Sequence, residues 1–366
     1  MLKLFLAGDV MIGRGIDQVQ RHSVDPVLYE DYLRSAEGYV ELAERASGPI
    51  PRPVGPAYVW GDALEVISDA NVDGRIANLE TTMTTSLAAQ PAKEVLYRAH
   101  PHNVAILQAA RLDCVALANN HALDWGTDGL LETLDTLRSA GIAVAGAGRS
   151  PAEAEAPVVI DGQISRVIVV AFASTTSGTP AGWKAGPDSP GLAVVDGWST
   201  SACERIRVVL EVLRQPGDVV VASVHWGSNW GYGIPSGQQR LAHALVDEAG
   251  VDMVFGHSSH HPRPIEIYRD RLIIYGTGDL ITDYEGIGGY EEFHNALVLG
   301  WFVEVDQASG RTVGLTMAPF KSRRFRLERV SPDDAAWLAA VLDRHSRPLG
   351  LRVRVADGEG LLVAGW

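Results

Sequence analysis

The apolar positions of this chain gather into short, nearly unbroken runs: LKLFLAG, GRIANL, DCVALA, DVVVASV and VDMVFG. Runs of this kind are what strands covered on both faces look like, because neither face has to be polar. Between them the spacing changes. Trp60 to Ala70, the stretch from Pro101 through His102–Leu107, Cys203 to Arg214 and Gln238 to Ala249 repeat apolar residues at helical intervals. Gly126 to Ala140 does so with leucines three and four apart, and Gly141 is placed as its C-cap. Strand and helix thus alternate, which predicts an α/β fold with a parallel sheet.

The rest of the chain reads less regularly. Gly13 to about Glu44 is a loop leading into helix, and Pro51 to Pro56 breaks it. Thr81 to Lys93 is polar and reads as a surface loop; Gly178 to Trp198, rich in Gly, Pro, Ser and Trp, reads as a long loop beside the site. IAVAGA and SRVIVVAFAS are further strands. From Pro264 the runs PIEIY, RLIIYG, ALVLGWFVEVD and TVGLTMAPF, separated by turns, predict a second sheet layer. Ser331-Pro332-Asp333 is a helix start, with Ser as N-cap and Pro at the first helical position. LRVRVADGEGLLVAGW closes the chain as a hairpin. Residues 1–320 are expected to form the main domain and 321–366 a helix and hairpin packed on it.

The residues at the strand tips matter more than the strands. The five runs end in Asp9, Glu80, Asn119-Asn120-His121, His225 and His257. In open α/β sheets ligands bind beyond the carboxyl ends of the strands. Any one such residue is ordinarily a turn former or a helix cap. Turn chemistry does not, however, call for His at two tips or for Glu within Asn78-Leu79-Glu80, so the set points to a metal site. Carboxylate, amide and imidazole are hard to borderline donors and suit Mn, Fe, Zn, Mg or Ca. Cys114 and Cys203 read as buried small hydrophobes.

With 366 residues, 46% of them hydrophobic, the chain can build a large core. No run reaches the ~18 apolar residues of a membrane span, and no signal-like segment opens the chain, so a soluble cytoplasmic protein is expected. A net charge of −14 argues against nucleic acid as a partner. Of nine tryptophans, Trp125, Trp226 and Trp230 stand beside candidate ligands. They read either as packing or as an apolar wall for a peptidic substrate.

Taken in order, GDVMIGR, YVWGD, ANLET, YRAHP, ALANNHALDWG, SVHWG, GHSSHHPRPIEIY and YGTGDLITDYEG resemble the CapA-like family of poly-γ-glutamate capsule synthesis, a branch of the calcineurin-like metallophosphoesterases. The resemblance runs from Asp9 to about Phe302. It implies a four-layer αββα sandwich with one or two divalent ions at the strand tips. Asp9, Glu80 (for the bridging Asp), Asn120, His225, His257 and His260 fall on ligand positions, and His121 on that of a catalytic acid. The usual Asp-x-His start is Asp9-Val10-Met11 here, so one position lacks its imidazole. Related anchorless chains carry Arg where Tyr290-Glu291-Glu292-Phe293-His294 ends in His.

Two activities compete. One is metal-assisted epimerisation of the Cα of the C-terminal residue of a lasso-type precursor peptide. An acid–base pair must then flank that carbon: His294 on one face, His121 or Asp9 on the other, with Trp226 holding the peptide and Arg98 pairing with its carboxylate. The other is metal-dependent hydrolysis of phosphoesters or γ-glutamyl peptide bonds, with His121 serving the leaving group. A non-catalytic binding role fits the complete ligand set less well. Oligomeric state is not legible.

Overall fold

The computed structural model describes residues 1–91, 93–162, 165–356 and 360–366. In chain order the elements that place the site are strands β1 (Leu2–Val10), β2 (Gly74–Leu79), β3 (Cys114–Ala116) and β4 (Ala143–Ala145), with helix α1 (Gly126–Ser139) between the last two. Then come β5 (Arg166–Ser174), α2 (Ser201–Leu213), β6 (Val219–His225), α3 (Ser236–Asp247), β7 (Met253–His257), β8 (Ile265–Tyr268), β9 (Arg271–Ile274) and β10 (Asp279–Ile281). The last elements are β11 (Leu297–Asp306), β12 (Arg311–Arg323), α4 (Pro332–Ser346), β13 (Arg352–Val355) and β14 (Leu362–Gly365).

These strands form two large sheets. The first runs β13-β14-β12-β11-β1-β2-β3-β4, with β10 also beside β1; the second runs from Val194–Val195 through β5, β6, β7 and β9 to β8. β1 to β4 pair in parallel, as do β5, β6 and β7, whereas β11 and β12 are antiparallel additions. The unbroken apolar runs are explained by where alternate side chains go. Leu2, Leu4 and Leu6 of β1 meet Val167, Val169, Val219 and Val221 between the sheets. Phe5 and Ala7 face outward onto a helical layer that includes Leu130, Leu134 and Leu137 of α1. On the far side Ile168, Val170 and Phe172 of β5 are covered by Ile206 and Leu210 of α2 and Leu241 and Leu245 of α3. The result is helix, sheet, sheet, helix: the expected αββα sandwich.

Three expectations need correction. The strands after Pro264 do not make a layer of their own: β8 and β9 extend the second sheet, while β11 and β12 join the first beside β1. Local pattern marks a strand but not its partner, because pairing is decided by which edge is free. The Thr81–Lys93 segment is not wholly a surface loop, since Thr81 to Thr84 are buried and Thr82–Met83 pairs with Arg98–Ala99. Gly178–Trp198 likewise contains paired backbone, with Gly191–Leu192 on Ala147–Gly148 and Val194–Val195 on β5.

The C-terminal residues use the main core. Leu338, Leu342, Leu351, Val353 and Leu362 lie in the same intersheet cluster as Leu2, and β14 pairs with β12. Ser331 caps α4 by accepting from the Asp334 amide at 3.1 Å. The turn of the closing hairpin, 357–359, lies outside the described residues. Cys114 and Cys203 are both buried. Among the described residues no helix is long and apolar enough to cross a membrane.

Candidate metal centre

The parallel strands of both sheets end on one rim, so their terminal residues converge. Asp9 is fully buried at the end of β1, and two glycines make the approach possible. A Cβ on Gly8 would lie 1.8 Å from the Gly278 carbonyl, and one on Gly256 would lie 2.5 Å from the Ile274 carbonyl. Without side chains there, β10 and β9 press against β1 and β7, and Asp279 sits in register beside Asp9. After His257 the chain turns through Ser258, whose φ of 105° is costly for a residue with a side chain. That turn aims the Ser258 amide at Asp9 Oδ2, 3.3 Å away.

On the second sheet His225 and His257 face each other with their Nδ1 atoms 2.8 Å apart. Their outer nitrogens are held, His225 Nε2 against Asn120 Oδ1 at 3.1 Å and His257 Nε2 against Ser223 Oγ at 2.8 Å. Burial, and then the His257 ring, push His225 well below the usual imidazole range, and burial lowers His257 to about 3, so both rings are neutral at neutral pH. Donor atoms of Asp9, His225 and His257 all lie within 4.8 Å of one another. On the first sheet Asn78 Nδ2 donates to Asp9 Oδ1 at 2.7 Å, and Glu80 is buried beside them. Burial raises the Asp9 carboxyl to about 6 and, with the Asp9 charge, raises Glu80 well above its ordinary value. Buried carboxylates packed against neutral imidazoles are a poor arrangement alone and a good one around a divalent cation. The residues fit such an ion.

The Asp9 carboxyl would make the binding of a divalent ion pH-dependent. A ligand must be deprotonated to bind, and Asp9 holds its proton up to about 6, so affinity for Mn²⁺ should fall as pH drops through 6 and binding at pH 6 should release protons. Titration calorimetry in buffers of different ionisation enthalpy measures both. Equal affinity at about pH 5.5 and 7.5 with no proton release would contradict the arrangement.

His121 stands apart from these donors. Its Nδ1 bonds Asp124 Oδ2 at 2.6 Å, which assigns the proton to Nδ1 and leaves Nε2 as a lone pair 3.7 Å from Glu80 Oε1. Lys93 bridges the outside of the pair, contacting Asp124 and the Asn120 carbonyl and lying 3.2 Å from His121 Nδ1. Tyr97 packs on the ring, 4.0 Å between centroids. Burial lowers His121 to about 4 despite the Asp124 charge. Glu80, Asn120, His121 and His260 open onto a cavity of about 530 Å³ whose walls include Arg14, Lys93, Tyr97, Trp230, Tyr284 and Tyr290. Trp230 and Tyr290 stack there, 4.0 Å apart.

Three sequence-predicted residues are not brought to the site. Arg98 is buried with its guanidinium 3.8 Å from the Trp125 ring centroid, donating to the carbonyls of Ser86 and Asp25 at 2.8 and 3.0 Å, so its charge braces loops. Trp226 is wholly buried in the outer core, its indole N–H donating to the Tyr275 carbonyl at 3.0 Å; Trp230 is the tryptophan at the cavity. His294 is exposed and stacks on Trp337 of α4, 3.9 Å between centroids, while its neighbours Tyr290 and Asn295 line the cavity. The reason is backbone direction, since His294 adopts a left-handed φ of 48° that ends the short turn before β11.

Other residues were not singled out from sequence. Asp124 could have been, standing three residues after His121 within one motif. Arg14 sits between two glycines, a visible signal, but its partners Glu30 and Asp283 are distant in the chain. Nothing local marks Lys93.

A model of the bacterial capsule synthesis protein PGA_cap family matches residues 3–284. The chain belongs to that family. A probable polyglutamine synthesis accessory protein, found in two strains of Mycobacterium tuberculosis, is 45% identical over 355 residues, covering 96% of this chain and 93% of its own. The PGA biosynthesis protein CapA of Bacillus subtilis is 26% identical over 284 residues, 77% of this chain and 64% of that one. Among solved structures, a novel phosphatase from Mycoplasma pneumoniae superposes with a TM-score of 0.47 at 11% identity, covering 87% of this chain and 93% of that chain. At that distance the likeness says nothing about chemistry.

Proposed function

We propose that this member of the capsule synthesis family is a divalent-metal-dependent hydrolase of γ-glutamyl peptide bonds or phosphoesters. The observation that carries the reading is His121: fixed through Nδ1 by Asp124, it turns Nε2 toward Glu80 at the wall of a cavity that Glu80, Asn120 and His260 also line. The names of the relatives, which concern polyglutamine synthesis and PGA biosynthesis, favour a chain of glutamine or glutamate units as substrate. One or two divalent ions held by Asp9, Glu80, Asn120, His225, His257 and His260 would supply Lewis acidity to the scissile group and to the attacking water. His121, neutral at neutral pH, begins as a base: Nε2 takes a proton from water and returns it to the leaving group. Asp124 keeps the ring oriented and favours the imidazolium formed between those steps, and Lys93 holds Asp124.

A second reading, Cα epimerisation of a peptide's C-terminal residue, is favoured by one observation, the aromatic wall of Trp230 and Tyr290, which suits an apolar peptide end better than a polyanion. Asp9 or His121 could serve one face of the carbon, but His294 stacks on α4 and the opposite face has no assigned base. Incubation of Mn²⁺-loaded protein with poly-γ-glutamate, nitrophenyl phosphate and a lasso-type precursor peptide separates the two. Shortened chains or released phosphate, abolished by EDTA and restored by Mn²⁺, are expected. Hydrolysis that persists in metal-stripped protein ends the metal reading. Inversion at Cα with one deuterium gained from D₂O, and no bond cleaved, ends the hydrolase reading.

A further inference from the structure

The motif resemblance leaves one ion position without an imidazole, because Met11 stands where a His is usual and a thioether is a poor ligand for a hard cation. Asp279 stands on the strand that runs beside Asp9-Val10-Met11. It opens β10 and is paired in register with Asp9, and its carboxylate is buried. One oxygen, Oδ1, lies 2.9 Å from His260 Nδ1. The other, Oδ2, is buried and has no hydrogen-bond partner. A buried carboxylate oxygen left unpaired loses its hydration without replacement, so its retention asks for an explanation. The His260 ring, an ion partner when protonated, is engaged by Oδ1 and leaves Oδ2 unpaired, and Asp9 beside it is itself a carboxylate. Donor atoms of Asp9, His260 and Asp279 all lie within 4.8 Å of one another, as do those of Asp9, His225 and His257, and Asp9 is common to both sets.

We propose that Asp279 is a metal ligand, its free Oδ2 taking the place of the absent imidazole at an ion position shared with His260, and that Asp9, rather than Glu80 where the resemblance puts the bridge, joins this position to the one held by His225 and His257. Two binding positions then flank a single buried carboxylate. Oδ1 at the same time orients His260, so the residue both binds the ion and positions a neighbouring ligand. This rests on the reading of the strand tips as a metal centre, and the test keeps the two apart.

The full-length protein is stripped, reloaded with Mn²⁺, and analysed by elemental content and electron paramagnetic resonance. Wild type should hold two ions per chain with an exchange-coupled spectrum. Asp279→Asn preserves Oδ1 as an acceptor for His260 and replaces only Oδ2 with an amide nitrogen that cannot ligate. It should hold one ion with an uncoupled six-line spectrum, whereas Asp279→Glu, which keeps a carboxylate, should hold more than Asn does. Removing a charge from a group of buried carboxylates relieves repulsion, so metal-free Asp279→Asn should melt no lower than metal-free wild type. Two coupled ions in Asp279→Asn would overturn the proposal and leave the metal centre standing. So would loss of the ion in an Asp279→Asn variant that melts well below wild type while Asp279→Glu binds no better, which would mark a structural role. Wild type that binds no ion at all would overturn the metal centre itself, and this proposal with it.

Discussion

His121→Ala should keep its metal and lose turnover by a factor of ~10² to 10⁴, the range that separates a positioned acid–base group from bulk water. In barrier terms that is about 3–5 kcal/mol. The geometry separates the two properties. His121 Nδ1 is bound to Asp124 and its Nε2 lies 3.7 Å from Glu80, whereas the close donors around Asp9 come from other side chains. Elemental analysis and single-turnover kinetics on the same preparation check this. A metal-free His121→Ala would make His121 a ligand, and turnover within a few-fold of wild type would remove it from the proton path. Asp124→Asn is the companion variant. It retains the side-chain shape but weakens the hold on the Nδ1 proton, so turnover should fall while metal content stays, as expected of a residue acting through another.

Arg14→Met should destabilise the protein by about 3–5 kcal/mol, the ordinary cost of removing one partner from a buried ion pair. Arg14 is buried at the cavity wall. Its guanidinium donates to Glu30 at 2.9 Å, to the Tyr39 hydroxyl at 2.7 Å and to both oxygens of Asp283, and it lies 3.9 Å from the Tyr39 ring centroid. Met fills similar volume but leaves two buried carboxylates facing each other with no cation between them. They must then ionise unpaired or take up protons, and either is expensive. Chemical denaturation at neutral pH measures the loss. Adding Glu30→Gln and Asp283→Asn to Arg14→Met should recover part of it, because the uncompensated charges are then gone. A loss below about 1 kcal/mol would mean that the group is not the closed network its distances describe.

How far the sequence could be read depended on whether a property is local. Continuous apolar runs needed covering on both faces, and Leu2, Leu4 and Leu6 against Phe5 and Ala7 show both faces covered. Helix starts were readable for the same reason, since the Ser331 cap is a contact between neighbours in sequence. The misreadings were of another kind. Arg98 and Trp226 stand next to site motifs in the chain, but the strand direction turns one onto Trp125 and the other into the outer core. The segment of His294 runs beside the site, yet one left-handed residue is enough to send its ring to Trp337.

The amino-acid sequence by itself determined the layered α/β architecture, because alternation of buried strands with amphipathic helices leaves few ways to cover both sheet faces. It also determined that Asp9, Glu80, Asn120, His225 and His257 stand at strand tips, since parallel strands present their carboxyl ends on one side. The tertiary structure alone decided which strands share a sheet, so that β11 and β12 return to β1 from the far end of the chain. It alone brought Asp279 to Asp9, Lys93 to Asp124 and Arg14 to Asp283, the last pair 269 residues apart in the chain. Such contacts are fixed by the close approach of backbones, as at Gly8, and by the need to pair buried charges. Neither leaves a periodicity in the chain for a reader to find.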